Sequence, residues 1–181
     1  MIVLMAGLPG TGKTTLAREL ARRLRGRVLG KDEFRHAIFP VEEIEYTARQ
    51  DDFCQELMLE TAGYLLSRDP QRFIFLDGRP FSRRHQVENA VRAAASFHQP
   101  WRILECVCPE ETVQQRLEHD ANRGEHPAAN RNYQLYLAVK ERFEAITLPK
   151  AVINTTFEVD VCAREALKVI SEYGRNELRL P

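Results

Sequence analysis

Short apolar runs alternate along this chain with longer stretches whose apolar residues recur every three or four positions. The runs Ile2 to Ala6, Arg27 to Leu29, Arg72 to Leu76, Arg102 to Val107 and Ala151 to Asn154 read as strands. Between them the helical period predicts helices over Lys13 to Leu24, Thr47 to Leu66, Ser82 to Phe97, Pro109 to Asp120, Tyr133 to Ile146 and Asp160 to Tyr173. Strands covered on both faces have no polar side, which is why they read as apolar runs. The alternation therefore predicts βαβ units, an α/β fold with a five-stranded parallel sheet flanked by helices.

The helix faces refine this picture. Leu16, Leu20 and Leu24 share one side of the first helix, and Arg18, Arg22 and Arg25 share another that reads as a solvated face. Ser82 is placed to cap the helix that follows it, and Gly174 to stop the last one before an end at Arg175 to Pro181 that reads as frayed. The polar segment Ala121 to Asn132 interrupts the helical period and reads as a mobile loop. Trp101 opens an apolar strand and is expected in the core rather than as a platform for a base. His36, His85, His119 and His126 have no readable partner arrangement.

Composition bounds the rest. With 181 residues, 44% of them hydrophobic, the chain suits one domain with one sizeable core. Acidic and basic residues balance at 26 each, so no bulk charge points to a nucleic acid or an anionic membrane. The four cysteines, Cys54, Cys106, Cys108 and Cys162, lack metal-like spacing and are expected as reduced thiols of a cytoplasmic protein. The apolar start is too short to cross a bilayer and carries no basic leader, so no membrane role or export signal is expected.

Chemistry enters at Gly7-Leu8-Pro9-Gly10-Thr11-Gly12-Lys13-Thr14, a full match to G-x-x-x-x-G-K-[ST] between a strand and a helix. Converging backbone N–H groups grip phosphate oxygens only where the chain curls tightly with little side-chain bulk. Gly7, Gly10 and Gly12 supply that freedom, and the helix N-terminus adds partial positive charge. The expected nucleotide-binding set is Gly7, Gly10, Thr11, Gly12, Lys13, Thr14 and Thr15. Lys13 reaches the β and γ phosphates of ATP, and Thr14 ligates Mg²⁺. Phe73-Ile74-Phe75-Leu76-Asp77 ends an apolar strand in a carboxylate, the second expected magnesium contact. The fold expected is thus that of a P-loop NTPase.

Size argues against the added modules of a motor or helicase. Just past the second strand, "GKDEFRHAIF" sets Asp32 and Arg35 one helical turn apart, beyond the carboxyl end of the sheet where ligands sit. A carboxylate there takes the proton of an attacking hydroxyl, and an arginine there clamps an acceptor. The alternative is a plain surface ion pair of small energy. Arg79, Arg83 and Arg84 follow Asp77 into the same crevice and are further candidates for contact with an acceptor.

Together the phosphate loop, Asp32-x-x-Arg35, "FIFLDG" and "RLEHDANRGEHPAANR" resemble the AAA_33 group of small P-loop kinases. This group includes chloramphenicol phosphotransferase, and the chain also resembles the kinase half of phage-type polynucleotide kinase over Ile2 to Ile146. The resemblance implies Asp32 as general base and Arg35 as the arginine that anchors the acceptor. It also implies Arg116 beside the adenine and Arg123 over the donor phosphates, from a lid near residues 116–132, with Arg131 a rival for the second role. A cation delivered by a closing segment would neutralise charge on the transferred group and expel water.

The expected activity is transfer of the γ-phosphoryl group of ATP to a hydroxyl. A small polar molecule is the first acceptor, since neutral charge and a single tryptophan offer no nucleic-acid track. A 5'-hydroxyl oligonucleotide is the second, on the strength of Asp32-x-x-Arg35. A nucleotide-dependent switch without an acceptor is the third.

Overall fold

The computed structural model describes residues 1–123 and 132–176. Its five strands, β1 (Ile2–Ala6), β2 (Arg27–Gly30), β3 (Ile74–Asp77), β4 (Trp101–Val107) and β5 (Ala151–Asn154), form one parallel sheet in the order β2-β3-β1-β4-β5. Seven helices accompany them among the described residues: α1 (Lys13–Leu24), α2 (Lys31–Ile38), α3 (Ala48–Arg68), α4 (Arg84–Ser96), α5 (Glu110–Arg123), α6 (Tyr133–Glu141) and α7 (Val159–Asn176).

Alternation along β1 divides the core. Ile2, Leu4 and Ala6 face α3 and α4, where Met58, Ala62, Leu66, Val87, Ala90 and Ala94 cover them. Val3 and Met5 face α1 and α7, against Leu16, Leu20, Ala163, Ala166 and Ile170. A third, smaller cluster of Val113, Leu117 and Tyr136 joins α5 to α6 beside the phosphate loop. The central strand is therefore buried on both sides, as its unbroken apolar run requires.

Several boundaries differ from expectation for local reasons. Helix α6 ends at Glu141 rather than Ile146, because the chain turns there and Glu144 N donates to Ser82 O at 2.9 Å. Ser82 is not the cap of α4: Arg83 holds that position, and the Gln86 side chain accepts from its N–H at 3.3 Å. Gly174 does not stop α7, which runs on to Asn176, since about 1 kcal/mol of lost helix propensity is too little to end a helix whose face is buried through Ile170. The predicted loop begins later than expected, because α5 extends to Arg123. The rest of the predicted lid, including Arg131 and residues 124–131, lies outside the described residues, as does the expected frayed end beyond 176.

Elsewhere the elements lie close to their expected ranges. Thr47 caps α3 by accepting from Gln50 N. Arg18 and Arg22 are exposed and pair with Glu33 and Glu19, a solvated face as read from the pattern. Trp101 packs against the core. All four cysteines are free thiols, and burial pushes the Cys106 thiol up to about 12. No described helix is long and apolar enough to cross a membrane.

Candidate active site

The carboxyl edge of the sheet opens into a cleft of about 920 Å³. One wall is the phosphate loop. Gly7 has φ +124°, and a Cβ there would lie 2.3 Å from Cys106 O, so no other residue fits. Gly10 is equally constrained at φ +79°, with Val113 Cγ1 2.8 Å from an added Cβ. Gly12 takes a left-handed conformation as it caps α1. The loop is held from outside as well as within. Gly7 N donates to Pro80 O at 3.1 Å, the Thr155 hydroxyl donates to Thr11 O at 2.8 Å, and the Thr11 hydroxyl donates to Leu8 O at 2.7 Å. Lys13 folds its ammonium over the loop, donating to Leu8 O at 2.7 Å. Thr14 and Thr15 follow on the cleft wall, half-buried and exposed.

Asp77 ends β3, the strand beside β1, and lines the same cleft; it is only 3% exposed, and its Oδ1 has no hydrogen-bond partner. A buried carboxylate oxygen without a donor costs on the order of 1 to 3 kcal/mol, so it marks a place built for something the protein does not itself supply. Thr14 lines the same cleft. The described residues contain no cluster of three or more His, Cys, Asp or Glu that would cage a metal. One hydroxyl and one orphaned carboxylate oxygen fit Mg²⁺ held jointly by protein, phosphates and water.

The facing wall is built from α2 and α3. Gly78, at φ +85°, comes so close to the start of α2 that an added Cβ would sit 3.0 Å from Lys31 N and 3.5 Å from Asp32 N. That contact sets the start of α2, and Asp32 with it, against the backbone just after Asp77. The Asp32 side chain is 13% exposed and bonded to Arg35, with Lys31 Nζ at 3.6 Å. Asp51, from the first turn of α3, accepts from the same two cations: from Arg35, and from Lys31 Nζ at 2.8 Å. Gln50 accepts from Arg35 Nε at 3.0 Å, and the guanidinium lies 5.0 Å from the Tyr46 ring centroid.

Arg35 thus has a different place from the one the pattern implies. Its side chain is 0% exposed and it does not line the cleft. It ties Asp32 to α3 instead of facing an acceptor. Arg79 is buried, donating to Asp51 O at 3.0 Å and to the Asp52 carboxylate. Arg83 reaches the cleft and pairs with Glu144 at 2.9 Å, whereas Arg84 is exposed away from it. Arg116 stands against the loop, with Nη2 2.6 Å from Thr155 O and Nη1 3.4 Å from the place of a Gly12 Cβ. Arg123 ends α5, and its side chain lies outside the described residues.

The sequence reading missed Lys31, Asp51, Thr155 and Arg142 on this cleft, and found no role for His85, which also lines it. Lys31 had a signal in its adjacency to Asp32. Asp51 and Thr155 had none, because each meets its partners only through the tertiary fold.

A phosphate cradle on one side and a carboxylate between cations on the other, at the edge of a parallel sheet, give the chain the kinase-like P-loop NTPase fold. Within that class it belongs to the AAA_33 family, described as an AAA domain, whose model matches residues 2–146. No curated protein matches the chain at a significant level. Among solved structures it is similar to a gluconokinase from Sinorhizobium meliloti, with 16% identity, 98% of this chain and 94% of that one covered, and a TM-score of 0.67. It is also similar to the APS kinase of Mycobacterium tuberculosis in complex with AMPPNP and APS, with 17% identity, 93% and 96% covered, and a TM-score of 0.69. Kti12 of Chaetomium thermophilum in complex with ADP-AlF3 shares 14% identity, with 95% and 98% covered and a TM-score of 0.71.

Proposed function

We propose that the chain is an ATP-dependent kinase that transfers the γ-phosphoryl group to a hydroxyl of a small-molecule acceptor. The observation that carries this reading is Asp32, a carboxylate on the wall of the cleft that the phosphate loop also lines, held in place by Lys31 and Arg35. The acceptor oxygen bonds to the γ phosphorus as the bond to the ADP oxygen breaks, and Asp32 takes the hydroxyl proton. The loop amides and Lys13 hold the donor phosphates in this reading, and Arg116, which bonds to Thr155 O beside the loop, flanks the adenine. Arg123 is the lid arginine in this reading. Thr14 and Asp77 would hold Mg²⁺, which when bound neutralises charge on the phosphates.

The wall facing the loop carries Asp32, Asp51 and Asp52 among its cations, a mixed lining that suits a small polar molecule rather than a phosphodiester chain. The reading places the reaction in the cytoplasm, with a small-molecule acceptor favoured over a 5'-hydroxyl oligonucleotide and no membrane as partner. Replacing Asp32 with Asn tests it: turnover falls by a factor on the order of 10² to 10⁴ while the Kd for ATP stays unchanged. Undiminished turnover in that variant removes Asp32 as the base.

A further inference from the structure

Arg35, the arginine that the Asp-x-x-Arg pattern assigns to the acceptor, is fully buried and committed to Asp32, Asp51 and Gln50. Any electrostatic anchor for an acceptor therefore comes from another cation. Lys31 is bonded to Asp51, Arg79 to Asp52 and Arg83 to Glu144, so each is matched by a carboxylate. Arg142 is not. It is exposed, lines the cleft, and has no carboxylate partner among the described residues.

Its position is set by the fold. Leu135, Val139 and Arg142 all line the cleft, and their spacing of four and then three residues puts them along one side of α6 and its C-cap. Two residues further on, Glu144 clamps the start of α4: its N–H donates to Ser82 O at 2.9 Å, and its carboxylate accepts from Arg84 N at 2.7 Å and Arg83 Nη1 at 2.9 Å. That clamp joins the end of α6 to Ser82 and Arg83, in the segment that follows Asp77 along the cleft.

We infer that the acceptor alcohol carries an anionic group seated by Arg142, with its carbon skeleton against Leu135 and Val139. An arginine facing a cleft with no internal counter-ion is matched by a ligand oxyanion, and its planar fork suits a carboxylate or phosphate bidentately. Away from Lys13 and Arg116 at the phosphate loop, Arg142 is the arginine or lysine of the cleft wall left without a carboxylate partner among the described residues, and one such cation suits one anionic group and not a polyanion. This inference rests on the kinase reading for its chemistry, but its binding claim stands apart from turnover.

The test uses the whole chain loaded with Mg²⁺ and AMPPNP, and matched probes that differ in one charge: gluconate against glucose, glycerate against glycerol, and glycerol phosphate against glycerol. The anionic member of at least one pair raises the Tm, its neutral partner does not, and Arg142→Ala removes the response while Arg142→Lys keeps part of it. The carboxylate and phosphate pairs separate the two sources of charge. In turnover with ATP, Arg142→Ala raises KM for the anionic acceptor by about 10- to 100-fold, with the Kd for ATP unchanged. Equal responses within every pair, including none from any, overturn the inference. Anion-selective stabilisation that persists without any phosphoryl transfer supports it and counts against the kinase reading alone.

Discussion

Replacing Arg35 with Ala separates a residue that organises the base from one that holds a substrate. The guanidinium is 0% exposed and bridges Asp32 and Asp51, whose side chains are 13% and 24% exposed. Its removal leaves two carboxylates with Lys31 alone between them, and an empty space above the Tyr46 ring. Breaking a buried ion pair by deleting one partner costs about 3 to 5 kcal/mol, and the partial exposure of Asp51 places this site near the lower value. For a chain of this length, about 3 kcal/mol corresponds to a Tm lower by roughly 6 to 12 °C. Thermal unfolding followed by circular dichroism, with urea titration to check that the slope is unchanged, reads it directly. A Tm within about 2 °C of the parent together with a selectively raised acceptor KM would refute the reasoning, since that is how a substrate-holding surface arginine behaves.

Three further outcomes follow from the geometry. Gly7→Ala forces a Cβ against Cys106 O at 2.3 Å with φ at +124°, so ATP binding is lost and the Tm falls; isothermal titration with undiminished ATP affinity contradicts the account of the loop. Asp77→Asn relieves a buried carboxylate whose Oδ1 has no donor, so the Tm of the nucleotide-free protein is equal or higher, while Mg²⁺-stimulated turnover drops by a factor on the order of 10². Burial raises the Cys106 thiol to about 12, so the folded state holds this proton while the unfolded thiol, near its ordinary value, releases it. Its contribution to stability is therefore complete below about pH 9 and is lost as pH rises from there toward about 12. Urea titrations at pH 8 and pH 10 should show lower stability at the higher pH, and Cys106→Ala should reduce that loss.

The sheet was legible because strands covered on both faces read as short, mainly apolar runs, and β1 is the plainest case. The phosphate loop was legible because its constraints are local: Gly7, Gly10 and Gly12 occupy conformations that few other residues tolerate. Asp32 and Asp77 were found for a related reason, as polar residues just where apolar strands end. Arg35 was found but misplaced. Its burial depends on Gln50 and Asp51 arriving from α3, and nothing in the residues around position 35 announces that approach. Ser82 had the chemistry of a cap, but its carbonyl is committed to Glu144 N, and the helix begins beyond it. Arg142 carried no motif and became visible only when the cations around it were matched with their carboxylates.

The most direct test of the central claim is transfer of label from γ-labelled ATP across a panel of small alcohols, comparing the parent chain with Asp32→Asn at saturating nucleotide. The account predicts a labelled phosphate ester of an alcohol with the parent chain, and a loss on the order of 10² or more in the variant with its ATP affinity intact. Label confined to ATP and inorganic phosphate with every alcohol, or ester formed equally by both proteins, would contradict it.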